Sequence, residues 1–300
     1  MRVAITGASG FIGARLVAEL RDRGDGVIAL SRNPDRTRER LGVDAAGPDP
    51  ATGTAPAQVL SGVDAVVNLA GEPIAQRWSA EVKQRIRASR AARTEKLVAA
   101  LADASPRPGV LVSASAAGYY GDRGADELDE SAPAGDDFLA SACVDWERAA
   151  SEATELGMRV VKIRTGVVLD HGGGALKQML PPFRAGLGGP IAGGRQYMPW
   201  ISLEDIVGIY LAALSDDAWS GPVNASVPSP ATNAEFTRTL GRALKRPAVV
   251  PIPSFALKLL YGEMSSVLTG SQRMVPRRAL ELGYEFAHPQ LDGALRTALK

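Results

Sequence analysis

Tyr119, Tyr120, Ser115 and Glu72 are the side chains of this sequence best placed for proton transfer, because each falls just after an apolar run of β character. A phenol there can reach a bound carbonyl or hydroxyl, a serine can hydrogen-bond a carbonyl oxygen, and a carboxylate can exchange a proton. Each also has an ordinary structural reading. Paired tyrosines near a sheet edge commonly pack, with one hydroxyl satisfied, and Glu72 can ion-pair with Arg77 or Arg90. Cys143 reads as a small buried hydrophobe; as a reactive thiol it would be modified rapidly by iodoacetamide at neutral pH. His171 and His288 sit in glycine and proline contexts too far apart to suggest a metal pair, and no carboxylate–histidine cluster supports a metal site.

A second chemistry lies in Thr6-Gly7-Ala8-Ser9-Gly10-Phe11-Ile12-Gly13. It follows the apolar run Val3-Ala4-Ile5 and opens a stretch in which Phe11, Ile12, Leu16, Val17 and Leu20 recur at helical spacing. A strand turning through glycines into a helix aims the first helical N–H groups and the positive dipole end at one point, which suits a pyrophosphate. Gly7 permits the turn, Gly10 lets backbone approach the phosphates, and Gly13 lets the helix lie close on the strand. Ser9, Phe11 and Ile12 complete the cradle. The bland alternative is a strand-to-helix turn that is merely rich in glycine.

The spacing is Gly-x-x-Gly-x-x-Gly with Thr6 ahead of it. That variant resembles the short-chain dehydrogenase/reductase superfamily, in its extended branch of nucleotide-sugar epimerases and dehydratases. The resemblance implies a nicotinamide dinucleotide. The second strand, Val27-Ile28-Ala29-Leu30, ends in Ser31-Arg32-Asn33-Pro34. NAD-selective sites usually place Asp or Glu there, about 20 residues past the glycines, to bind the ribose hydroxyls. A hydroxyl and a guanidinium at Ser31 and Arg32 instead favour NADP(H) over NAD(H), since Arg32 can grip a 2′-phosphate through paired donors. The competing reading of Arg32 is a solvated loop charge.

The elements that must position these groups alternate strand and helix, as in a parallel sheet covered on both faces. Strands are expected at Val63 to Leu69, Val110 to Ser115, Arg159 to Arg164 and Gly221 to Ala225. Helices are expected at Ser79 to Ala102, Asp137 to Glu155 and Leu203 to Leu214, while Asp44 to Pro56 reads as loop with at most a short strand. This is a Rossmann-type doubly wound α/β fold. Glycines from Gly172 to Gly194 interrupt the rhythm, and the chain beyond Pro228 is helical and proline-punctuated. A Rossmann domain is therefore expected over 1–170 plus 200–227, with a small, mostly helical substrate lobe from 171–199 plus 228–300.

In such a sheet, ligands sit beyond the carboxyl ends of the strands. Asn68, Ala70, Gly71, Ser113, Arg164, Gly166 and Val167 join the candidate cofactor residues on that ground. Ala70 and Gly71 are small enough for close backbone approach. Each has its bland counterpart: Asn68 as a loop cap, Arg164 as half of an ion pair. Arg85, Arg87, Arg90 and Arg93 either mark a solvated helix face or, turned to the cleft, meet an anionic substrate.

The 300 residues carry 34 basic and 33 acidic side chains, a net charge of +1, and 45% hydrophobic residues. That balance offers no case for nucleic acid or a membrane surface. One cysteine excludes an internal disulfide and fits a reducing compartment, no apolar run reaches a membrane span, and the first strand leaves no room for a signal peptide. A cytoplasmic protein acting on a small-molecule substrate is the expectation.

In the extended branch a Tyr-x-x-x-Lys pair performs the acid–base step, the lysine lowering the tyrosine's pKa and holding the nicotinamide ribose. Registering on Glu147 puts Leu139 at the tyrosine position and Cys143 at the lysine position. The expected catalytic Ser or Thr falls on Ala116, with Ser115 beside it. An intact glycine loop with the pair lost resembles an atypical subgroup, the predicted sugar-nucleotide epimerases with their own C-terminal domain type. The matching blocks are Val67 to Glu72, Ser113 to Gly121, Phe138 to Glu147, Arg164 to Leu169, Pro181 to Phe183, Pro253 to Met264, Gln272 to Pro276 and Gly283-Tyr284. Where the subgroup commonly has Trp-Ile-His, this chain has Trp200-Ile201-Ser202, so a role for that histidine does not carry over. The resemblance implies an NADP(H)-dependent oxidoreductase or epimerase-like enzyme, possible substrates including nucleotide sugars. The alternative is a non-catalytic NADP(H)-binding regulatory or interaction protein. A homodimer is expected only by analogy with the branch.

Overall fold

The computed structural model describes residues 1–48, 53 and 55–300. Strand β1 (Arg2–Thr6) runs through the glycine loop into α1 (Phe11–Asp22), and β2 (Gly26–Leu30) leads to α2 (Pro34–Leu41). Then come β3 (Asp44–Ala46), the single turn α3 (Ala57–Leu60) and β4 (Ala65–Asn68), followed by α4 (Ala80–Ala88) and α5 (Ala91–Ala102). β5 (Val110–Ala116) precedes the short β6 (Glu127–Leu128) and α6 (Phe138–Ser151). β7 (Arg159–Thr165) steps at Gly166 into β8 (Val167–Leu169), then α7 (Gly174–Arg184), β9 (Tyr197–Met198) and β10 (Trp200–Ser202). α8 (Leu203–Ser215), β11 (Gly221–Ala225), β12 (Ala231–Thr232), α9 (Asn233–Leu244) and α10 (Ser254–Tyr261) follow, and β13 (Arg273–Met274) returns to pair with β6.

The main sheet has seven strands in the order β11-β7-β5-β4-β1-β2-β3, every pairing parallel. The order reverses between β1 and β4, which makes their carboxyl ends the switch point where an open α/β sheet offers a crevice. Strand alternation splits the core into two layers. Val3, Ile5 and Val67 face Leu16 and Leu20 of α1 and Ile206 and Tyr210 of α8. Ala4, Val66 and Leu111 face Leu97 and Leu101 of α5 and Ala150 of α6. Burial on both faces explains why these strands read as nearly continuous apolar runs. A third cluster joins Leu176, Leu180 and Phe183 of α7 to Phe236 and Leu240 of α9 and to Leu295 and Ala298 near the end of the chain.

Two boundaries differ from the sequence reading. The helix expected from Ser79 to Ala102 is broken at Ser89–Arg90, where Arg90 takes φ −107° and ψ −77°. Ser89 Oγ accepts the Glu72 amide at 2.9 Å, and Arg90 Nη2 donates to the Glu72 carbonyl at 3.0 Å. Contacts to the loop after β4 thus divert the chain, which hydrophobic spacing alone does not reveal. The helix expected to reach Glu155 tightens into a 3₁₀ turn over Glu152–Leu156 that ends at the left-handed Gly157. Of the stretch expected as loop from Asp44 to Pro56, residues 44–46 form the short edge strand, and residues 49–52 and 54 lie outside the described residues.

Candidate active site

Thr6 stitches the switch point together. Its hydroxyl donates to Asn68 Oδ1 at 2.7 Å and accepts the amides of Leu69 and Ala70 at 3.1 and 3.2 Å. This draws the loop after β4 onto Gly7, where φ is +70° and a β-carbon would lie 2.8 Å from the Leu69 carbonyl carbon. A β-carbon on Gly13 would stand 2.3 Å from the Gly7 oxygen, so only glycine lets α1 sit this close to β1. α1 starts after Gly10 with no side-chain cap and no acid in its first turn. Its leading amides and dipole are left without a side-chain counterpart, and a diphosphate fits that chemistry. Phe11 closes one side: a β-carbon on Gly173 would meet its ring at 2.4 Å.

At the end of β2, Ser31 Oγ accepts Thr37 Oγ1 at 2.7 Å and the Asn33 amide at 3.2 Å, shaping the turn into α2. Arg32 beside it is exposed and has no hydrogen-bond or ion-pair partner among the described residues. Asn68 and Ser113 lie deeper, at 4% and 0% exposure. Asn68 Nδ2 donates to Thr94 Oγ1 at 2.8 Å and to Ser113 Oγ at 3.3 Å. Both side chains brace β4 against β5 and α5, so they act on the crevice through the backbone they hold. Ala70 and Gly71 follow β4 at the switch point, and Gly71 lies against the Arg90 guanidinium. The Glu72 side chain makes neither of the ion pairs considered from sequence: Arg90 holds its backbone carbonyl, and Arg77 donates to the carbonyls of Leu259 and Leu260.

The ends of β5, β7 and β11 meet in a buried polar cluster. Glu147 of α6 pairs with Arg164 through Nε–Oε1 at 2.8 Å and Nη2–Oε2 at 3.0 Å, and accepts the Ser115 hydroxyl at 2.7 Å. Arg164 Nη1 also donates to Tyr120 Oη at 2.9 Å, and Tyr120 donates to Asn224 Oδ1 at 2.6 Å. Burial opposes the charge on Arg164, but the hydrogen bonds and charge of Glu147 outweigh it and raise the guanidinium's pKa. Burial likewise pushes the Tyr120 phenol up to about 12, with Arg164 working against it. Arg164 stacks on Tyr119 with Cζ 3.5 Å from the ring centroid. Tyr119 itself is half-buried and its hydroxyl has no partner among the described residues. Ser115 and Arg164 therefore stand where the sequence placed them, with their polar groups already spent on Glu147. Gly166 fits under Pro199, whose oxygen would lie 2.2 Å from a β-carbon there, and Val167 opens β8 as it leaves the sheet to pair with β10.

Leu139 and Cys143 pack against Gly118: a β-carbon there would lie 3.3 Å from Leu139 Cβ and 3.9 Å from the Cys143 sulfur. Burial, then the charge of Glu147, pushes the Cys143 thiol up to about 12, so it is a neutral packing group. Ser202 is equally structural, capping α8 by accepting the Asp205 amide at 2.9 Å. Among the described residues no group of three or more His, Cys, Asp or Glu could hold a metal ion, and no helix is long and apolar enough to cross a membrane.

Residues 3–225 match the NAD dependent epimerase/dehydratase family, and residues 252–298 match a domain of unknown function, DUF1731. The chain belongs to the NAD-dependent epimerase/dehydratase family. Epimerase family protein Mb2239 of Mycobacterium bovis is 45% identical over 296 residues, 98% of this chain and 96% of that protein. The chloroplastic SDR39U1 homolog of Arabidopsis thaliana is 41% identical over 303 residues, 100% of this chain and 87% of that protein. The crystal structure of human epimerase family protein SDR39U1 with NADPH superposes with a TM-score of 0.89 at 38% identity, over 99% of each chain. A Bacillus cereus UDP-glucuronic acid 4-epimerase shares the fold, with a TM-score of 0.80 at 16% identity. Within this epimerase/dehydratase frame, Glu147 is the residue whose role the sequence reading missed. The signal was available: a carboxylate among Cys143, Trp146, Ala149 and Ala150 on a buried helical face must be paired.

Proposed function

We propose that this chain binds NADP(H) across the ends of β2, β1 and β4 and uses it on a small hydroxylated or carbonyl substrate, a nucleotide sugar being one candidate class. The observation that carries the reading is the uncapped start of α1 over Gly7 and Gly13. The unpartnered Arg32 supports the preference for NADP(H) over NAD(H), as a guanidinium free to pair with a 2′-phosphate. When bound, the cofactor exchanges hydride with the substrate. The chain's part is to hold the diphosphate on the amides of Phe11 to Gly13 and to move a proton at Tyr119 Oη. Tyr119 is favoured over Ser115 because the Ser115 proton is directed to Glu147, and over Tyr120 because Tyr120 Oη already accepts from Arg164 and donates to Asn224. Glu72, at the crevice edge, is the second candidate.

The test is NADPH consumption against a broad carbonyl panel. Turnover is expected, abolished by Gly10→Arg, lowered about a hundredfold or more by Tyr119→Phe and retained by Cys143→Ala. One observation favours a second reading: the positions of the usual tyrosine and lysine hold Leu139 and a neutral thiol. A cofactor-responsive binder has the same cradle and needs no proton relay. Tight NADPH binding with a flat trace across the panel would select it.

A further inference from the structure

The chain as a whole balances 34 basic against 33 acidic residues, yet residues 171–200 and 236–262 contain no Asp or Glu. These two acid-free stretches are stitched together. The Val250 amide donates to the Gly188 carbonyl at 3.1 Å, the Ile252 amide to Pro190 at 2.9 Å, and Arg246 Nε to the Arg184 carbonyl at 3.1 Å. α9 stops at Lys245, whose backbone is left-handed with φ 54°. The chain then folds back so closely that a β-carbon on Gly241 would lie 2.6 Å from Ala248 Cβ. The result is an open groove of about 340 Å³ lined by Arg238, Arg242, Lys245, Arg246, Ala248 and Val249. All four of its cations are exposed, and none is in an ion pair among the described residues. Val249 is 75% exposed, and Leu187, next to the glycine that holds Val250, is 62% exposed.

Cations crowded without a counter-ion repel one another, and a concave surface focuses their field. Large apolar side chains at the same place gain by leaving water. A partner that answers both carries anions and apolar groups together. The groove lining has no aromatic ring on which the bases of a nucleic-acid strand could stack. Its cations line a hollow, whereas a flat bilayer engages groups that protrude. An acidic protein segment meets both demands. Its carboxylates can be taken in pairs by the guanidinium forks of Arg238 and Arg242, and its apolar side chains can cover Val249 and Leu187.

We propose that the groove at the end of α9 docks an acidic segment of a partner protein, one that carries apolar side chains between its carboxylates. Fluorescence anisotropy on the full chain tests this with a labelled peptide of alternating glutamate and leucine. The rival probes are a lysine–leucine peptide, phosphatidylglycerol vesicles and a single-stranded oligonucleotide. The glutamate–leucine peptide is expected to bind saturably and more tightly than any of them. Arg242→Glu combined with Lys245→Glu should weaken it about tenfold or more, and Val249→Ser about fivefold. Added salt should weaken it progressively. Unchanged melting temperatures show that the variants are folded; should the charge reversal fail to fold, Arg242→Gln with Lys245→Gln is read with the same probes. No saturable binding, equal binding of the lysine–leucine peptide, or undiminished binding by the double variant overturns the proposal. Tighter binding of vesicles or oligonucleotide, lost in the double variant, overturns it in favour of that partner. Self-association in sedimentation that the double variant abolishes overturns it in favour of a second copy of this chain.

Discussion

Glu147 and Arg164 form a two-point ion pair, at 2.8 and 3.0 Å, with the arginine 3% and the glutamate 7% exposed. The pair joins α6 to β7, and through Ser115 and Tyr120 it reaches the ends of β5 and β11. Removing one partner leaves a buried charge without compensation. Glu147→Gln is expected to cost about 3–5 kcal/mol, whereas Ser115→Ala should cost about 1 kcal/mol. Urea unfolding of the two variants measures both, and equal losses would mean that the hydroxyl, not the ion pair, sets the stability of this region.

The glycines of the cradle are not interchangeable with others. Gly13→Ala brings a β-carbon 2.3 Å from the Gly7 oxygen and should lower both the melting temperature and NADPH affinity. Gly293, in the helix Leu291–Ala298, has nothing within 4 Å of the corresponding position. Gly293→Ala should therefore stabilise by about 0.5–1 kcal/mol. A melting series on the two variants, which should move in opposite directions, checks the contrast.

Arg32 is expected to set cofactor choice. Loss of a charge-assisted pair to a 2′-phosphate corresponds to about 1.5–3 kcal/mol, or roughly ten- to hundredfold in affinity. Arg32→Ala should weaken NADPH by that factor and leave NADH nearly unchanged. Equal weakening of both nucleotides would move the 2′-phosphate contact elsewhere.

Cys143 should resist alkylation. With its thiol raised from 9.0 to about 12 by burial, the thiolate fraction near neutral pH falls about a thousandfold below that of an ordinary cysteine. Because the folded chain resists ionising this thiol more than the unfolded chain does, its contribution to stability is intact below pH 9 and is lost as pH climbs from 9 to about 12. Cys143→Ala should make the loss of stability over that interval shallower. Iodoacetamide labelling in buffer and in urea, with melts across the alkaline range, gives both quantities.

The sheet was legible because continuous apolar runs and glycine turns are local signals: β1, β2, β7 and β11 fall within a residue of where those runs place them. The break at Ser89–Arg90 was not, because its cause is the distant Glu72 backbone. The same holds at the site. Gly7 and Gly13 carry their turn and packing roles in their spacing, and Cys143 declared itself as packing. Ser115 and Arg164 were identified by position, but their commitment to Glu147 depends on three elements meeting. Spacing along one chain cannot report that a side chain's donors are already taken.

Phe11 and Gly173 impose one more condition. With the ring 2.4 Å from where a β-carbon at 173 would stand, position 173 cannot gain a side chain while Phe11 keeps its ring in place. Across descendants of a common ancestor they should co-vary: any chain that gains a side chain at 173 must first have lost the aromatic at 11. The glycine-rich loop before α7 and the turn that opens α1 are thus inherited as one lock.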